Sequence, residues 1–573
     1  MRKLKFSNGR FFSRRRVTMV KFFVLLFIPS IIMVRLFFVQ VWSYDKFLPL
    51  VKKQVSSKIK LYIPRGDILD RNGKKLATTL KYETVSINSS EFLKGIQKDR
   101  KNLEILSSIT NISEKEILLL CEKEKYVTIK QLLPISITSQ LKYIRGLDFE
   151  TVLKRFYPYE ELACYVLGGV GADNRGYSGI EIEFENFLAN VKSREIPFYK
   201  NGKVDKRSFR LSNLCKTEEM NSKNYSVVLT IDSKLQYSIE EKLKSAYEKY
   251  EPQKVMCVVQ NPENGEILAM AVYPYTKTPL TNPIVNSVYE PGSIFKIFPV
   301  AIFLEEGIVN ENTMVNCESG KFFYGGNLLS DLHPHKFLSM KDVIAHSSNI
   351  GMAKAYLLMN DPVKYCAYLK LFGFDAKTGI ELPGEIKGVI VGPESKQWSL
   401  HQPIAMSIGQ GIFVTLIQMV NAYSAIANGG ELLQPTIVKN IIDKNNNVVY
   451  ESEKVVVRKI LSEKTVELLK GMLESVVEYG TAKGAKIENV SICAKTGTAQ
   501  KYDKQIKRYS DVKSLISVCG FFPKDKPKYV IGLFFDEPKR GRLSSDVAVP
   551  VFREIVLELL NYDEERKLYA KAY

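Results

Sequence analysis

Residues 290–296 read Glu-Pro-Gly-Ser-Ile-Phe-Lys and open an apolar run that ends near Glu305. Ser293 and Lys296 are three residues apart, so on a helix they lie on the same face. A serine hydroxyl is a poor nucleophile until a neighbouring base accepts its proton. A lysine can be that base when burial lowers its pKa, and the apolar neighbours here favour burial. Alone, the pattern is also that of a common surface pair, so it needs support from the rest of the chain.

A second short motif lies at residues 347–349, which read Ser-Ser-Asn between two helical segments. In such a loop Ser347 can pass a proton and Asn349 can hold an amide. The alternative is that the triplet only caps the following helix, since serine and asparagine are common at that position. This motif is weak evidence when it is taken alone.

A third motif, Lys495-Thr496-Gly497-Thr498, lies in a stretch that is typical of a β-strand. Such a strand would present Lys495 and Thr498 toward a carboxylate. Gly497 would let a substrate approach the backbone closely, because glycine has no side chain. This triplet is also weak evidence without the other two.

Taken together, the three motifs resemble those of the penicillin-recognising serine enzymes. Their order is the same, and so is their spacing, with 54 residues from Ser293 to Ser347 and 148 from Ser347 to Lys495. Further stretches resemble class B penicillin-binding proteins, over about residues 20–560: 64–73, 155–159, 179–181, 230–236, 289–293, 373–374, 382–385, 414–418 and 520–523. The Glu-Pro-Gly before Ser293 and the modest length resemble the division (septal) subgroup more than the elongation subgroup.

The resemblance implies an acyl transfer. Ser293 would attack the carbonyl of the penultimate D-Ala of a donor stem peptide, with Lys296 as base. D-Ala would leave, and the amine of a second stem peptide would then attack the acyl-enzyme. Ser347 and Asn349 would relay a proton and orient the substrate. β-Lactams, which mimic D-Ala-D-Ala, should acylate Ser293, and no cofactor or metal is implied.

The resemblance also implies how the substrate is held. Lys495, Thr496 and Thr498 would bind its terminal carboxylate, with Gly497 allowing close approach. The backbone N–H groups of Ser293 and Thr498 would form the oxyanion hole. The chain departs from the family's usual residues at three positions, namely Ile294, Pro299 and Ala494. None of these departures removes a reacting group, so they bear on rate and drug affinity.

The N-terminal region predicts a membrane anchor. The chain has a formal net charge of +20, and residues 1–21 contain eight Lys and Arg but no Asp or Glu. Residues 22–42 follow as an apolar stretch, interrupted by Arg35, whose helix of about 31 Å would match the hydrocarbon thickness. We expect a cytoplasmic tail and a single-pass inner-membrane anchor, with the remaining chain outside. A nucleic-acid-binding arm and a cleaved signal peptide are the alternatives, but residues 41–43 form a poor cleavage site.

The mixture of strand and helix patterns predicts an α+β fold. We expect a non-catalytic pedestal of the dimerisation type at residues 57–222, with helices over 91–145. A transpeptidase domain would follow at 225–562, with an antiparallel sheet flanked by helices, many of them between 293 and 430. Residues 563–573 would form a C-terminal tail.

Local patterns place individual elements. A hairpin turn is predicted at residues 70–73, and an amphipathic helix at 234–250 with its cap at Asp232 or Ser233. Alternating or continuous apolar runs predict strands at residues 227–231, 255–259, 267–272, 492–498, 517–522 and 529–535.

The cysteines and histidines predict no metal site. The eight cysteines form no CxxC pair and no metal-ligand spacing: Cys121, Cys164, Cys215, Cys257, Cys317, Cys366, Cys493 and Cys519. Most lie in apolar runs, so we expect buried thiols, although one or two disulfides would suit an oxidising compartment. His333 and His335 have no third ligand candidate.

Several alternative functions stay open. The same motifs would serve a D,D-carboxypeptidase or β-lactamase, which deacylates to water, but such enzymes rarely need a large membrane-proximal module. A β-lactam sensor would need a cytoplasmic region longer than residues 1–21. A side-wall elongation transpeptidase, or a division-complex scaffold with secondary catalysis, also fits.

The expected partners follow from the resemblance. The pedestal has no Glu-Asp-x-x-Phe motif, which the glycosyltransferase domain of class A enzymes carries. A separate glycan polymerase and division-complex proteins are therefore expected as partners. Peptidoglycan stem peptides, β-lactam antibiotics and the membrane are the other expected partners, and nucleic acid is not.

Overall fold

The computed structural model describes residues 9–42, 56–60, 64–189, 195–199, 225–276, 279–503 and 508–572. The chain divides into two compact units, Met1–Ile63 with Val191–Ser222 and Pro64–Asn190 with Lys223–Tyr573. Cys215 lies outside the described residues. The other seven cysteines are free thiols, and all of them except Cys164 are buried.

In the first unit, a long N-terminal helix carries the apolar segment. It covers Gly9–Phe37 and continues as a π-helical turn over Phe38–Trp42. Its part Arg16–Trp42 is 27 residues long, is exposed and reaches a mean hydropathy of 2.6. This length and composition suffice to cross a membrane, which is consistent with the predicted anchor. Ser56–Lys60 and Glu195–Tyr199 pair as antiparallel strands in the same unit.

In the second unit, residues 64–189 form a module around one long strand, Lys75–Asn88. Ile68–Leu69, Tyr126–Pro134 and Leu147–Phe156 all pair with this strand in antiparallel orientation. Buried side chains of three helices join those of the sheet in one hydrophobic cluster. These helices are Ser89–Ile96, Lys101–Thr110 and Glu114–Lys123.

The hairpin predicted at residues 70–73 is present. Asp70 Oδ1 accepts hydrogen bonds from the N–H groups of Asn72 and Lys74 at 2.9 and 2.8 Å. Gly73 has a φ of +84°, a conformation that glycine adopts at little cost. The turn therefore forms from local side-chain and backbone preferences, as the sequence indicated.

The prediction of helices over residues 91–145 is wrong beyond Lys123. Tyr126–Pro134 is a strand, followed by short helical turns and then by the strand Leu147–Phe156. Val127 and Ile129 are buried in the hydrophobic cluster while their neighbours are exposed. Residues 126–130 alternate apolar and polar side chains as a half-buried strand does, and pairing with the long strand fixes this conformation.

A buried ion-pair group closes this module. The carboxylate of Glu181 is fully buried and accepts hydrogen bonds from Nε of Arg65 at 3.0 Å and Nε of Arg155 at 2.6 Å. Arg65 also pairs with Glu185 at 2.7 Å. Because a buried charge without a partner is costly, these side chains hold the start of the module against the helix Gly179–Glu183.

The sheet of this module continues into the second part of the unit. Ile68–Leu69 pairs in parallel with Ser226–Leu229. Val438–Ile442 and Val448–Glu451 follow across the sheet. One sheet therefore contains strands from both sides of residue 225, where the sequence predicts a domain boundary.

A five-stranded antiparallel sheet forms the centre of residues 225–572. Its spatial order is Ile267–Tyr273, Lys254–Gln260, Tyr529–Asp536, Arg508–Phe522 and Cys493–Asp503. All six strands predicted in this region are present: five form this sheet, and Ser226–Leu229 belongs to the sheet shared with the module. Among the described strands, Cys493–Asp503 lies at one edge of the sheet, so one side of its backbone has no strand partner there.

Helices pack against this sheet, as predicted. Ser233–Tyr250 begins after Asp232, whose carboxylate accepts hydrogen bonds from the N–H groups of Lys234 and Leu235. Leu416–Ala427 is buried along its whole length and contacts the central strands. Ala548–Ala572 continues past residue 562, where the sequence predicts the tail to begin.

The remaining elements of residues 225–572 surround this core. The helices are Pro283–Asn286, Ile297–Glu305, Met340–Ala345, Asn349–Met359, Pro362–Leu371, Gln402–Ser407 and Glu463–Glu478. The small antiparallel strand pairs are Met314–Asn316 with Phe337–Ser339, Lys321–Tyr324 with Asn327–Ser330, Val389–Ile390 with Ile412–Phe413, and Glu431–Leu433 with Val456–Lys459.

Candidate active site

The serine of the first motif lies at the start of a helix. Ser293 belongs to the 3₁₀ helix Gly292–Lys296, which continues directly as the α-helix Ile297–Glu305. Gly292 has a φ of +58°, and a Cβ added there would lie 2.8 Å from the Cβ of Ala499. Glycine at this position therefore lets the helix begin close to the neighbouring strand. Ser293 is half-buried, while the residues next to it in the chain are buried.

Lys296 is fully buried and contacts the second motif. Its Nζ donates hydrogen bonds to the Ser347 carbonyl at 2.6 Å, to Ser347 Oγ at 3.2 Å and to Asn349 Oδ1 at 2.7 Å. None of these three bonds is to Ser293. Burial lowers the pKa of Lys296 to about 7, and the Asp331 carboxylate opposes this shift. A substantial fraction of the amine is therefore neutral near pH 7, as a general base requires.

The backbone of the second motif adopts an unusual conformation. Ser347 has a φ of +59°, which costs a residue other than glycine about 1–3 kcal/mol. Ser348 is the cap of the helix Asn349–Met359, and its hydroxyl accepts a hydrogen bond from Gly351 N–H at 2.9 Å. The capping alternative thus applies to Ser348, while Ser347 and Asn349 face Lys296. The triplet serves both purposes at once.

Asp331 is a residue of this site that no sequence motif indicated. It follows the strand Asn327–Ser330, and its carboxylate accepts hydrogen bonds from Ser348 Oγ and Asn349 N–H, both at 2.5 Å, and from Ile350 N–H at 3.0 Å. A carboxylate at a helix N-terminus is favourable, because the first N–H groups have no partner within the helix. That rule predicts an acid near residue 349, but not one from a hairpin elsewhere in the chain.

The third motif lies on the edge strand Cys493–Asp503, beside the serine helix. A Cβ added at Gly497 would lie 2.5 Å from Ser517 Oγ and 3.0 Å from Ile294 Cγ2. Gly497 is thus needed for this strand to pack against the helix that carries Ser293. The role predicted for this glycine is to admit substrate, and its close packing against protein atoms is an additional role.

Lys495 is fully buried on the same face of the strand as Gly497. Its Nζ donates a hydrogen bond to the Thr496 carbonyl at 3.2 Å. Burial lowers the pKa of Lys495 well below its ordinary value, and the charge of Lys296 lowers it further. The first and third motifs are therefore within electrostatic reach of each other.

Thr496 and Thr498 are two residues apart, so they share the opposite face of the strand from Lys495. The hydroxyls of Thr496 and Thr481 are hydrogen-bonded to each other at 2.6 Å. Thr498 is exposed, and its Oγ1 accepts a hydrogen bond from Ser544 N–H at 3.2 Å. The role of Lys495, Thr496 and Thr498 in holding a carboxylate stays a prediction.

Thr481 connects the second and third motifs and was also missed by sequence reasoning. Its N–H donates to the carbonyl of Ala345 at 3.1 Å, two residues before Ser347, and its hydroxyl contacts Thr496. It lies in the turn after the helix Glu463–Glu478. No spacing rule predicts this contact, because it depends on where that helix ends in the folded chain.

Aromatic packing supports the helix that carries Ser293. Phe295 and Phe298 contact Phe374 with ring centroids 5.0 and 4.9 Å apart, and Phe298 contacts Tyr423 at 5.4 Å. The Tyr423 hydroxyl donates a hydrogen bond to the Ile294 carbonyl at 2.6 Å. Dense packing of this kind leaves little freedom for the backbone next to the serine.

The assembled group can perform acyl transfer. It contains a half-buried serine, a buried lysine of lowered pKa, polar groups that bind that lysine, and an edge strand. An edge strand can take up an extended peptide through its unpaired backbone groups. The site residues predicted from three distant motifs all lie in or beside this group.

Two family models match the chain. The penicillin binding protein transpeptidase domain matches residues 255–557, and the penicillin-binding protein dimerisation domain matches residues 60–208. Stage V sporulation protein D of Bacillus subtilis is 32% identical over 570 residues, covering 94% of this chain and 85% of that protein. The peptidoglycan D,D-transpeptidase FtsI homolog of Mesostigma viride is 27% identical and covers 93% of each chain.

Solved structures share the fold. Penicillin binding protein 3 from Mycobacterium tuberculosis, in a crystal structure complexed with aztreonam, is 25% identical to this chain with a TM-score of 0.67. The match covers 88% of this chain and 97% of that chain. The fold class predicted from the sequence, an α+β transpeptidase fold, is confirmed.

Proposed function

This chain belongs to the family of class B penicillin-binding proteins, and we propose on that premise that it cross-links peptidoglycan as a serine D,D-transpeptidase. Its substrates are stem peptides that end in D-Ala-D-Ala, and its intermediate is an acyl-enzyme. β-Lactams block it by forming the same kind of ester.

One observation carries the proposed mechanism. The buried Lys296 amine contacts Ser347 and Asn349, lies one helical turn after Ser293 in the chain and acts electrostatically on Lys495. Three segments that are far apart in the chain supply these groups. A lysine of lowered pKa enclosed in this way supports a base for acyl transfer better than it supports a structural role, because burial of an amine without a carboxylate in contact is unfavourable.

The reaction has two steps. Ser293 Oγ attacks the carbonyl of the penultimate D-Ala while Lys296 accepts its proton, and the terminal D-Ala leaves with a proton delivered through Lys296 and Ser347. The amine of a second stem peptide then attacks the ester, giving up its proton to the same relay, and Ser293 is released. Asn349 orients the donor peptide.

Binding groups complete the site. Thr496 and Thr498 bind the substrate carboxylate from one face of the strand, and Lys495 supplies positive charge from the other face. The N–H groups of Ser293 and Thr498 stabilise the oxyanion of the tetrahedral intermediate, where loss of one donor costs about 2.7–4 kcal/mol. Gly497 keeps the edge strand close to the nucleophile.

The other regions have supporting roles. The apolar segment at residues 22–42, part of the helical stretch Arg16–Trp42, anchors the chain once in the cytoplasmic membrane, with residues 1–21 inside and the catalytic part outside. Residues 57–222 act as a non-catalytic pedestal and residues 225–562 as the transpeptidase domain. A separate glycan polymerase supplies the glycan strands that carry the stem peptides. Division-complex proteins are further partners.

The relatives support two sites of action. The FtsI-type relatives favour a role at the division septum. The relative named stage V sporulation protein D favours a role in spore formation instead. A fluorescent fusion in growing and in sporulating cells separates the two, because a septal enzyme localises to every division site and a sporulation enzyme only to the developing spore.

The test of the reaction is labelling with a fluorescent penicillin. We expect stoichiometric labelling of the full chain in membranes and none in Ser293→Ala. Ser399→Ala, which changes an exposed serine outside the site, serves as the control and should label fully. Labelling that persists in Ser293→Ala would place the nucleophile elsewhere.

Transpeptidase and hydrolase are then separated by their products. Incubation with lipid-linked peptidoglycan precursor and a glycan polymerase should yield cross-linked stem-peptide dimers. Accumulation of monomers that have lost the terminal D-Ala would identify a carboxypeptidase. Absence of both products from an enzyme that still binds penicillin would favour a scaffold.

A further inference from the structure

Asp331 connects the hairpin formed by Lys321–Tyr324 and Asn327–Ser330 to the second motif. It lies directly after the hairpin, outside all three sequence motifs, and is half-buried. Its carboxylate accepts hydrogen bonds from Ser348 Oγ and from the N–H groups of Asn349 and Ile350. Its own N–H donates to the Gly320 carbonyl at 3.1 Å, which holds it in place.

We propose that Asp331 is a positioning residue of the acylation reaction, which holds the loop at residues 347–349 against Lys296 and places a negative charge near that base. The inference rests on the proposed function, because it names a further residue of the same site. Asp331 acts through the loop and through its charge, and it does not contact Lys296 directly.

The positioning part follows from how Asn349 is held. Its backbone N–H is bound by Asp331, and its side-chain Nδ2 donates to the Ser330 carbonyl at 2.9 Å. The opposite atom of the same amide, Oδ1, accepts from Lys296. Ser330, the last hairpin residue, and Asp331, which follows it, therefore fix the side-chain and the backbone orientation of Asn349.

Ser347 needs such support more than an ordinary loop residue does. Its positive φ is unfavourable for a serine, yet this conformation brings both its carbonyl and its hydroxyl to Lys296. A strained conformation persists only where its surroundings hold it. The bonds from Asp331 to the two following residues provide that hold.

The electrostatic part follows from the charges that face Lys296. Among the described residues, two ionisable groups interact with it. The Asp331 carboxylate raises the pKa of Lys296, and the charge of Lys296 lowers the pKa of Lys495. Lys354 and Glu318, which act with Asp331 on the Cys317 thiol, are paired with each other at 2.8 Å and offset one another. Asp331 is therefore the negative charge that favours the protonated form of Lys296 against burial.

The experiment measures the rate constant of penicillin acylation as a function of pH for the full chain in detergent. Asp331→Asn keeps the side-chain shape and removes the charge. We expect the plateau rate at high pH to fall about ten- to hundredfold, because charge-assisted hydrogen bonds are lost. We also expect the acidic limb to move to lower pH, because Lys296 loses its proton more readily without the carboxylate.

Asp331→Glu separates the two parts and covers the case in which Asp331→Asn does not fold. It keeps the charge but displaces the carboxylate, so the plateau should fall while the acidic limb stays in place. Asp361→Asn is the matched control, because Asp361 caps the helix Pro362–Leu371 in a similar way away from the site. It should leave both the plateau and the limb unchanged.

The outcomes distinguish this inference from the proposed function. Failure of penicillin to acylate Ser293 of the wild-type protein would overturn the proposed function itself. If the wild-type protein is acylated and Asp331→Asn has the same plateau rate of acylation, only the role of Asp331 is overturned. A lower plateau with an unshifted limb in Asp331→Asn would also overturn it, because a purely structural aspartate would behave in that way.

Discussion

Asn349 Oδ1 accepts a hydrogen bond from Lys296 Nζ at 2.7 Å, although 53 positions separate the two residues in the chain. The same amine donates to the Ser347 carbonyl at 2.6 Å. One buried amine therefore joins the first and second motifs. A substitution in either motif is therefore expected to alter the environment of the Lys296 amine.

The pH dependence of acylation follows from Lys296. Burial lowers its pKa to about 7, and only the neutral amine can accept the Ser293 proton. The acylation rate should therefore rise with pH through about 7 and level off above it, and fall about tenfold per unit well below it. Stopped-flow acylation between about pH 5 and 9 measures this profile. A rate that is independent of pH across this range would contradict a lysine base.

Lys296→Arg should slow acylation strongly at every accessible pH. The guanidinium stays protonated, so the general base is lost, and such a loss costs about 100- to 10,000-fold in rate. Penicillin labelling over long incubation checks this. Lys354→Arg changes a lysine of the neighbouring helix that pairs with Glu318, and it should label at the wild-type rate.

Lys495→Met should make the protein more stable but less active. Burial and the nearby Lys296 lower the pKa of Lys495, so the native state binds fewer protons than the unfolded chain. Such a group lowers the free energy of unfolding at all pH values below its unfolded pKa of about 10.4. Replacement by methionine removes this cost, and thermal unfolding at pH 7 should show a higher Tm. Acylation should slow, because the substrate carboxylate loses its cation.

Lys501→Met is the matched control for that substitution. Lys501 lies on the same strand, but it pairs with Asp536 at 2.8 Å and Glu537 at 2.5 Å. Its loss should leave the Tm unchanged or lower it slightly, since partly exposed pairs contribute up to about 1 kcal/mol. A lower Tm for Lys495→Met than for Lys501→Met would argue that Lys495 is stabilised by its surroundings.

Gly497→Ala should reduce both acylation and stability. The added methyl group would lie 2.5 Å from Ser517 Oγ and 3.0 Å from Ile294 Cγ2, so the edge strand must move away from the nucleophile. Overpacking of this kind costs about 1–3 kcal/mol. Gly471→Ala is the control, since nothing lies within 4 Å of the added Cβ in the helix Glu463–Glu478. That substitution should stabilise the protein by about 0.5–1 kcal/mol. Equal acylation rates for both variants would contradict close packing at Gly497.

Glu181→Ala should strongly destabilise the module at residues 64–189. It leaves the buried guanidinium groups of Arg65 and Arg155 without their shared carboxylate, and breaking a buried pair costs about 3–5 kcal/mol. Urea unfolding measures the change, and penicillin labelling reports whether the site is affected. Glu183→Ala, at an exposed neighbouring position, should change stability by less than about 0.5 kcal/mol. Similar values for both variants would mean that the ion-pair group contributes little.

Much of the secondary structure around the site could be predicted, because it depends on local patterns. The cap at Asp232, the turn at 70–73 and the six strands of the second part all follow from short-range preferences. The helix prediction at Tyr126–Pro134 is wrong although residues 126–130 alternate apolar and polar side chains as a strand does, and the partner of this strand is what no local pattern supplies. Its conformation depends on pairing with Lys75–Asn88, which lies about 45 residues away.

The same division holds for the site. The amino-acid sequence alone established the family, the nucleophile candidate and the three motifs, because each motif is a short run of adjacent residues. Only the folded chain revealed Asp331 and Thr481, and only it showed that Lys296 binds Ser347 and Asn349. The reason is physical: the pKa of Lys296 and the strain at Ser347 depend on burial and on contacts across long chain separations, which no local pattern records.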